Sequence, residues 1–188
     1  MMEDTDVLKL LGSHRKDEVV ITTMSSNYDW TQVNKTDDRY VPVSGAMGKA
    51  SGIGLGIALA QPNTKVWVFD GDGSLLMNLG ALITIATSAP KNLIHFVCEN
   101  DAYDTTGGQP VPGAGKVDFA AMARAAGYPR AFTFENLEDL QNRVADVLSG
   151  EGPTLAVLKV ASHGRRPSAG SRPTPQALAT LKANFANA

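Results

Sequence analysis

From Lys65 to Tyr103 the chain reads KVWVFDGDGSLLMNLGALITIATSAPKNLIHFVCENDAY, and no other stretch restricts the fold so tightly. The apolar run Val66 to Phe69 breaks into Asp70-Gly71-Asp72-Gly73-Ser74; a segment of helical period follows, and a second apolar run delivers Glu99-Asn100-Asp101. Short unbroken apolar runs bounded by turn formers read as strands buried on both faces. In a parallel sheet the two strand ends open on the same carboxyl edge, where ligands of open α/β sheets bind. Gly71 and Gly73 allow close backbone approach, and Ser74 is expected to start a helix whose free N–H groups favour an anion. Asp72 and Asn100 would then offer oxygen ligands to a hard divalent cation clamping a diphosphate.

The rest of the chain alternates strand and helix. Residues 4 to 14 form a helix with Val7, Leu8, Leu10 and Leu11 on one face, and Val19 to Thr23 is a short β-branched strand. Met24 to Trp30 reads as a polar loop whose hydroxyl and amide groups lie within reach of a ligand at the sheet edge. Tyr40 to Ser44 is a strand, and the glycine-rich segment from Gly48 to Ala60 a buried helix. One helix is expected from Ser74 to about Ser88, before Pro90, and a strand from Asn92 to Cys98. Residues 99 to 116, rich in Gly and Pro without a hydrophobic period, form a functional or mobile loop. Asp118 caps a helix through Ala126, Ala131 to Phe134 is a strand, Asn136 caps a helix ending at Gly150, and Thr154 to Val160 is the last strand. A basic, proline-rich segment precedes a terminal helix, Gln176 to Phe185. The coherent assembly is α/β: three layers, a mostly parallel sheet with helices on both faces, one domain over 1–188 with its core at about 19–160.

Composition narrows the function. The 188 residues include 43% hydrophobic ones, enough for a continuous core, and the net charge of −2 gives no electrostatic case for nucleic acid or an anionic membrane. The single cysteine, Cys98, cannot form an internal disulfide and sits in an apolar run, as expected of a buried thiol in a reducing compartment. The charged N-terminal sequence does not resemble a signal peptide, and no segment has the length of a membrane span, so a cytoplasmic protein is expected.

Two glycine patterns compete with this reading. Gly48, Gly52 and Gly54 have the spacing of a short-chain dehydrogenase fingerprint, but no tyrosine has a lysine four residues on for proton transfer. Gly48-Lys49 mimics the end of a P-loop, but Val43 replaces the leading glycine and Ala50 the metal-binding hydroxyl. Asp72 and Asn100 have a simpler alternative as helix cap and strand end, and Met47 as core filler.

The order GDG, helix, apolar strand and Asn resembles the diphosphate-binding motif of the thiamine diphosphate enzymes, where GDG is followed by Asn-Asn; here Glu99 replaces the first Asn. The resemblance spans Val19 to Val160. It implies the thiamine diphosphate-binding fold, Asp72, Asn100 and the main-chain carbonyl of Ala102 as Mg2+ ligands, and Gly71, Gly73 and Ser74 around the diphosphate, with Tyr103 beside them. By the same resemblance Met47, within Gly45-Ala46-Met47-Gly48, is the catalytic prop that bends the cofactor, while main-chain groups at Gly45 and Met47 bind its aminopyrimidine. Bending brings the exocyclic amine near the thiazolium carbon, so the internal base can form the nucleophilic ylid.

Within the family, GAMGKASGIGLGIALA, the GDG segment and NDAYDTTGGQP look like the sulfopyruvate and phosphonopyruvate decarboxylases. That implies a lyase acting on a small 2-oxo acid with an anionic head, which Arg165, Arg166 and Arg172 would suit. Such enzymes also need a pyrimidine-binding domain whose glutamate activates the cofactor, and no segment here is left to form one. The resemblance therefore implies a beta subunit in a hetero-oligomer with a pyrimidine-binding alpha subunit that supplies the glutamate. The alternatives are a carboligase of the acetolactate synthase type and a non-catalytic cofactor-binding subunit.

Overall fold

A computed structural model describes residues 1–164 and 172–187. Six parallel strands form the main sheet: β1 (Val19–Thr23), β2 (Tyr40–Val43), β3 (Val66–Gly71), β4 (Leu93–Glu99), β7 (Arg130–Phe134) and β8 (Thr154–Lys159), in the order β2-β1-β3-β4-β8-β7. The four inner strands are buried along nearly their whole length because both faces are covered, which is why they read as unbroken apolar runs.

Alternate side chains divide the core into two. Val68, Leu93, Val97 and Val157 face α3 (Ala50–Ala60), α5 (Ala81–Ser88), α6 (Phe119–Ala126) and α8 (Thr174–Ala186). Trp67, Phe69, Phe96 and Leu158 face α1 (Asp4–Ser13), α2 (Ser25–Val33) and α7 (Leu137–Ser149). The three layers expected from the sequence are therefore present. Met2, Val7, Leu8 and Leu11 join one cluster and Ala177 and Leu181 the other, so the packed body reaches beyond 19–160. Of the small residues in α3, Gly54 is the one packing demands: a Cβ there would come within 2.3 Å of Val68 Cγ2, while Gly52 and Gly56 have open space.

Three segments differ from the sequence expectations. The predicted polar loop after β1 is largely helix, α2. Its buried side carries Ser26, Asn27 and Asp29 beside Trp30, so it has no apolar period to read; Asn27 instead accepts from Thr22 Oγ1 at 2.5 Å and donates to the Val43 carbonyl at 3.1 Å. The predicted helix from Ser74 to Ser88 is two helices, α4 (Asp72–Leu76) and α5. Between them Met77 and Asn78 bond back three residues, and Asn78 Nδ2 reaches the Gly48 carbonyl at 3.0 Å, a tertiary bond that competes with helix continuation. The 99–116 segment contains a small antiparallel hairpin, β5 (Ala102–Tyr103) with β6 (Gln109–Pro110), closed by a 3-10 turn over Asp104–Thr106. The expected caps are in place: Asp118 accepts from Ala121 N and Asn136 from Asp139 N.

Topology positions the site. After β1 the chain passes through α2 on one face toward β2; after β3 it passes through α4 and α5 on the other face toward β4. The connections diverge between β1 and β3, and an open α/β sheet has its ligand crevice at that switch point.

Candidate functional site

A cleft opens at the switch point, lined by Met24 and Ser25 after β1, Gly71 to Ser74 after β3, Asn100 and Ala102 after β4, and Met47 from the turn before α3. Residues remote in sequence meet here because parallel strands deliver their carboxyl ends to one edge.

Asp72 is the first residue of α4, is buried, and spreads its charge over backbone donors: Gly73 N to Oδ1 and Asp101 N to Oδ2, both at 2.7 Å. The helix N-cap is Gly71, without a side-chain cap bond, so Asp72 does not serve as a helix cap. Burial, reinforced by the neighbouring charge of Asp101, pushes the Asp72 carboxyl up to about 6. A cation beside it would reverse that shift.

Asn100 Oδ1 accepts from Ala102 N at 3.1 Å, and its Nδ2 donates to Asp104 Oδ2 at 3.0 Å. Gly73 must be glycine, since a Cβ would meet Tyr103 Cε1 at 2.5 Å and Val111 Cγ1 at 3.1 Å. At Gly71 a Cβ would meet nothing within 4 Å, so its backbone faces open space in the cleft. The Ser74 hydroxyl is buried and accepts the Gly48 N–H at 2.9 Å, tying the GDG turn to the turn that carries Met47. Its proton stays free to donate.

Met47, Gly71, Asp72, Gly73, Ser74, Asn100, Ala102 and Tyr103 thus share one cleft. Gly45 and Ala46 are outside it: Gly45 is exposed at φ +68°, and Ala46 lines a neighbouring apolar groove with Ile53 and Pro173. Glu99 also lies outside; it pairs in register with Lys159, and burial pushes its carboxyl up to about 7 against the opposing pull of that lysine. Arg165 and Arg166 lie outside the described residues, and Arg172, just before α8, does not line the cleft. Cys98 is buried at the cleft floor, where it accepts a long contact from Ser26 Oγ, and burial raises its thiol pKa well above the ordinary value.

Sequence reasoning passed over three residues here. Asp101 adopts φ +60°, gives its N–H to Asp72 and accepts from Gly115 N at 2.8 Å, pinning the far end of the segment. Asp104 is buried and also accepts from Ser162 and His163. Met24 sits at φ 52°, ψ −124°, a strained conformation at the cleft wall. The aspartates are indistinguishable in sequence from ordinary turn formers, and strain at a methionine leaves no sequence signal.

The donor set suits a hard cation: one carboxylate, one amide oxygen and a main-chain carbonyl, with glycines keeping the approach clear. Among the described residues no three His, Cys, Asp or Glu side chains cluster to hold a metal by themselves. A cation here would complete its shell with ligand oxygens and water.

Residues 22–158 match the model of the thiamine pyrophosphate enzyme C-terminal TPP binding domain. The chain belongs to this family. It is 39% identical over 152 residues to phosphonopyruvate decarboxylase of Streptomyces viridochromogenes, covering 81% of this chain and 38% of the relative. It is 38% identical over 160 residues to the sulfopyruvate decarboxylase beta subunit of Methanothermobacter thermautotrophicus, covering 85% of this chain and 83% of that one. The thiamine pyrophosphate domain fold has a solved counterpart in an enzyme from Mycobacterium smegmatis assigned to thiamin diphosphate dependence, with TM-score 0.72 and 24% identity over 85% of this chain and 32% of that one; at that identity the likeness speaks for the fold alone. Among the described residues no helix is long and apolar enough to cross a membrane.

Proposed function

We propose that this chain is the beta subunit of a cytoplasmic, thiamine diphosphate- and Mg2+-dependent decarboxylase of a small 2-oxo acid, of the sulfopyruvate or phosphonopyruvate class. It would work in a hetero-oligomer with a pyrimidine-binding alpha subunit. The observation that carries the reading is the meeting of Asp72, Asn100 and Ala102 with Met47 in one cleft at the switch point. Similarity over 83% of the Methanothermobacter beta subunit supports the division into two chains.

In this reading Asp72, Asn100 and the Ala102 carbonyl hold the cation, and Gly71 and Gly73 let the diphosphate approach the backbone. When bound, thiamine diphosphate supplies a carbon nucleophile for the keto group and an electron sink for loss of carbon dioxide. Asp72 partly balances the charge of the cation and is oriented in advance by its two N–H donors. Met47 props the cofactor, and the Gly48 to Ser74 bond fixes its turn against the GDG turn, so prop and anchor keep one spacing. No glutamate lines the cleft, which supports the view that the activating carboxylate comes from the partner.

The test is carbon dioxide release from sulfopyruvate and phosphonopyruvate by the chain mixed with its pyrimidine-binding partner, with and without an aldehyde acceptor. Release without the acceptor is expected; turnover only with the acceptor would indicate a carboligase, and no turnover with intact cofactor binding a binding subunit.

A further inference from the structure

The amide of Asn100 can coordinate a cation only through its oxygen, so whatever decides which way that amide points decides whether the site works. Its two ends have different partners: Oδ1 accepts from Ala102 N at 3.1 Å, and Nδ2 donates to Asp104 Oδ2 at 3.0 Å. Asp104 Oδ2 also accepts the backbone N–H of His163, so it stands as an acceptor and admits the NH2 end of the amide rather than the oxygen end. Asp104 is itself held by two further donors, Ser162 Oγ to Oδ1 at 2.6 Å and His163 N to Oδ2 at 3.1 Å, and is 3% exposed.

Those donors lie where the chain leaves β8. That segment is fixed from its other side: Met2 bridges Val160, with Met2 N donating to the Lys159 carbonyl and Ala161 N to the Met2 carbonyl. Asp104 therefore stands between a site residue and a strand exit that is part of the sheet framework.

We propose that Asp104 is a positioning residue that sets the polarity of the Asn100 amide, turning its oxygen toward the cation and referencing it to the β8 exit through Ser162 and His163. The inference rests on the reading of Asp72 and Asn100 as cation ligands. In Asp104→Asn the carbonyl oxygen takes the Oδ2 place, where the Asn100 and His163 N–H groups both donate, and the NH2 turns to the Ser162 hydroxyl, which can accept, so the Asn100 amide keeps its polarity. In Asp104→Leu the Asn100 NH2 has no acceptor there, and only the Ala102 N–H still orients the amide. Outer partners of metal ligands change affinity by about 10–100-fold, and a loss of about tenfold is expected here. Asp104→Asn, which keeps the acceptor, is expected to retain near-parent affinity.

The experiment is calorimetric titration of thiamine diphosphate and Mg2+ into the full chain assembled with its partner, comparing the parent, Asp72→Asn, Asp104→Leu and Asp104→Asn, each first checked for a native melt. Loss in Asp72→Asn, a roughly tenfold loss in Asp104→Leu and near-parent affinity in Asp104→Asn are expected. Loss in Asp72→Asn with parent-like affinity in Asp104→Leu would overturn the positioning role alone. An equal loss in Asp104→Asn would also overturn it, indicating that the charge of Asp104 rather than its acceptor is what matters. Indifference to Asp72→Asn, or no binding by the parent, would overturn the cofactor reading and this role with it.

Discussion

The Asp72 carboxylate accepts the backbone N–H of Asp101 at 2.7 Å, a bond that joins the turn after β3 to the turn after β4. With the Gly73 N–H on its other oxygen, Asp72 is oriented before any ligand arrives. Orientation of this kind lowers the ordering cost of binding. It leaves a buried negative charge, however, and its expense appears in the raised Asp72 pKa.

That expense predicts a pH dependence. The Asp72 carboxyl is raised from 3.8 to about 6, so between these values the unfolded chain has released its proton while the folded chain retains it. The Asp72 contribution to stability is fully present below about pH 4 and is lost as pH rises through about 6, on the order of 3 kcal/mol. Glu99, raised from 4.5 to about 7, extends the same trend upward. Urea melts against pH without ligand should show this decline, flattened at its acid end in Asp72→Asn, and Mg2+ with thiamine diphosphate should recover stability above pH 6 in the parent only. A ligand-free curve independent of pH from 4 to 7 would refute the prediction.

Met47 shares the cleft with Asp72 but has no part in its hydrogen bonds. On the proposed reading of Met47 as the prop, Met47→Ala is expected to lower kcat more than cofactor affinity, because a prop would act on a reactive shape while the diphosphate anchor stays intact. Steady-state kinetics with a parallel binding titration separate the two; unchanged kcat would remove Met47 from the mechanism.

Two glycines two residues apart in α3, and so on opposite sides of it, should respond oppositely to alanine. Helix propensity favours Ala over Gly by about 1 kcal/mol. At Gly56, where a Cβ meets nothing within 4 Å, that gain stands and Gly56→Ala should stabilise the chain. At Gly54 the Cβ would lie 2.3 Å from Val68 Cγ2 inside the core, and overpacking of about 1–3 kcal/mol outweighs the gain. Thermal melts of the two variants should shift in opposite directions by a few degrees.

The sequence made the inner strands legible because burial on both faces leaves unbroken apolar runs, and it made the GDG and Asn positions legible because glycine and oxygen ligands stand out beside such runs. It hid α2, whose buried face is largely polar and answered by Thr22 of the preceding strand and by Val43 and Cys98 from more distant segments. The break between α4 and α5 was hidden likewise, since Asn78 is drawn to Gly48, 30 residues away. Asp101 and Asp104 were invisible for the same reason: their partners, Asp72, Gly115, Ser162 and His163, come together only in the fold.

The isolated chain should bind the cofactor weakly and release no carbon dioxide, and activity should appear on titration with a pyrimidine-binding chain. The reason is positional. The groups suited to the diphosphate end are in the cleft, while among the described residues no glutamate lines it and Met47 is only half-buried. A cofactor anchored there would keep its pyrimidine side open, without the carboxylate that promotes the imino tautomer. In the proposed assembly the groups to be covered would include Leu59 on α3, Met77 after α4 and Ile83 on α5, which are 54%, 59% and 63% exposed. These are large apolar groups that a stable assembly would bury. Met77→Asp should leave the melt of the isolated chain unchanged while raising the partner concentration needed for half-maximal carbon dioxide release. Robust turnover by the isolated chain would sink the two-chain scheme, and an unaltered titration with Met77→Asp would move the partner to another face.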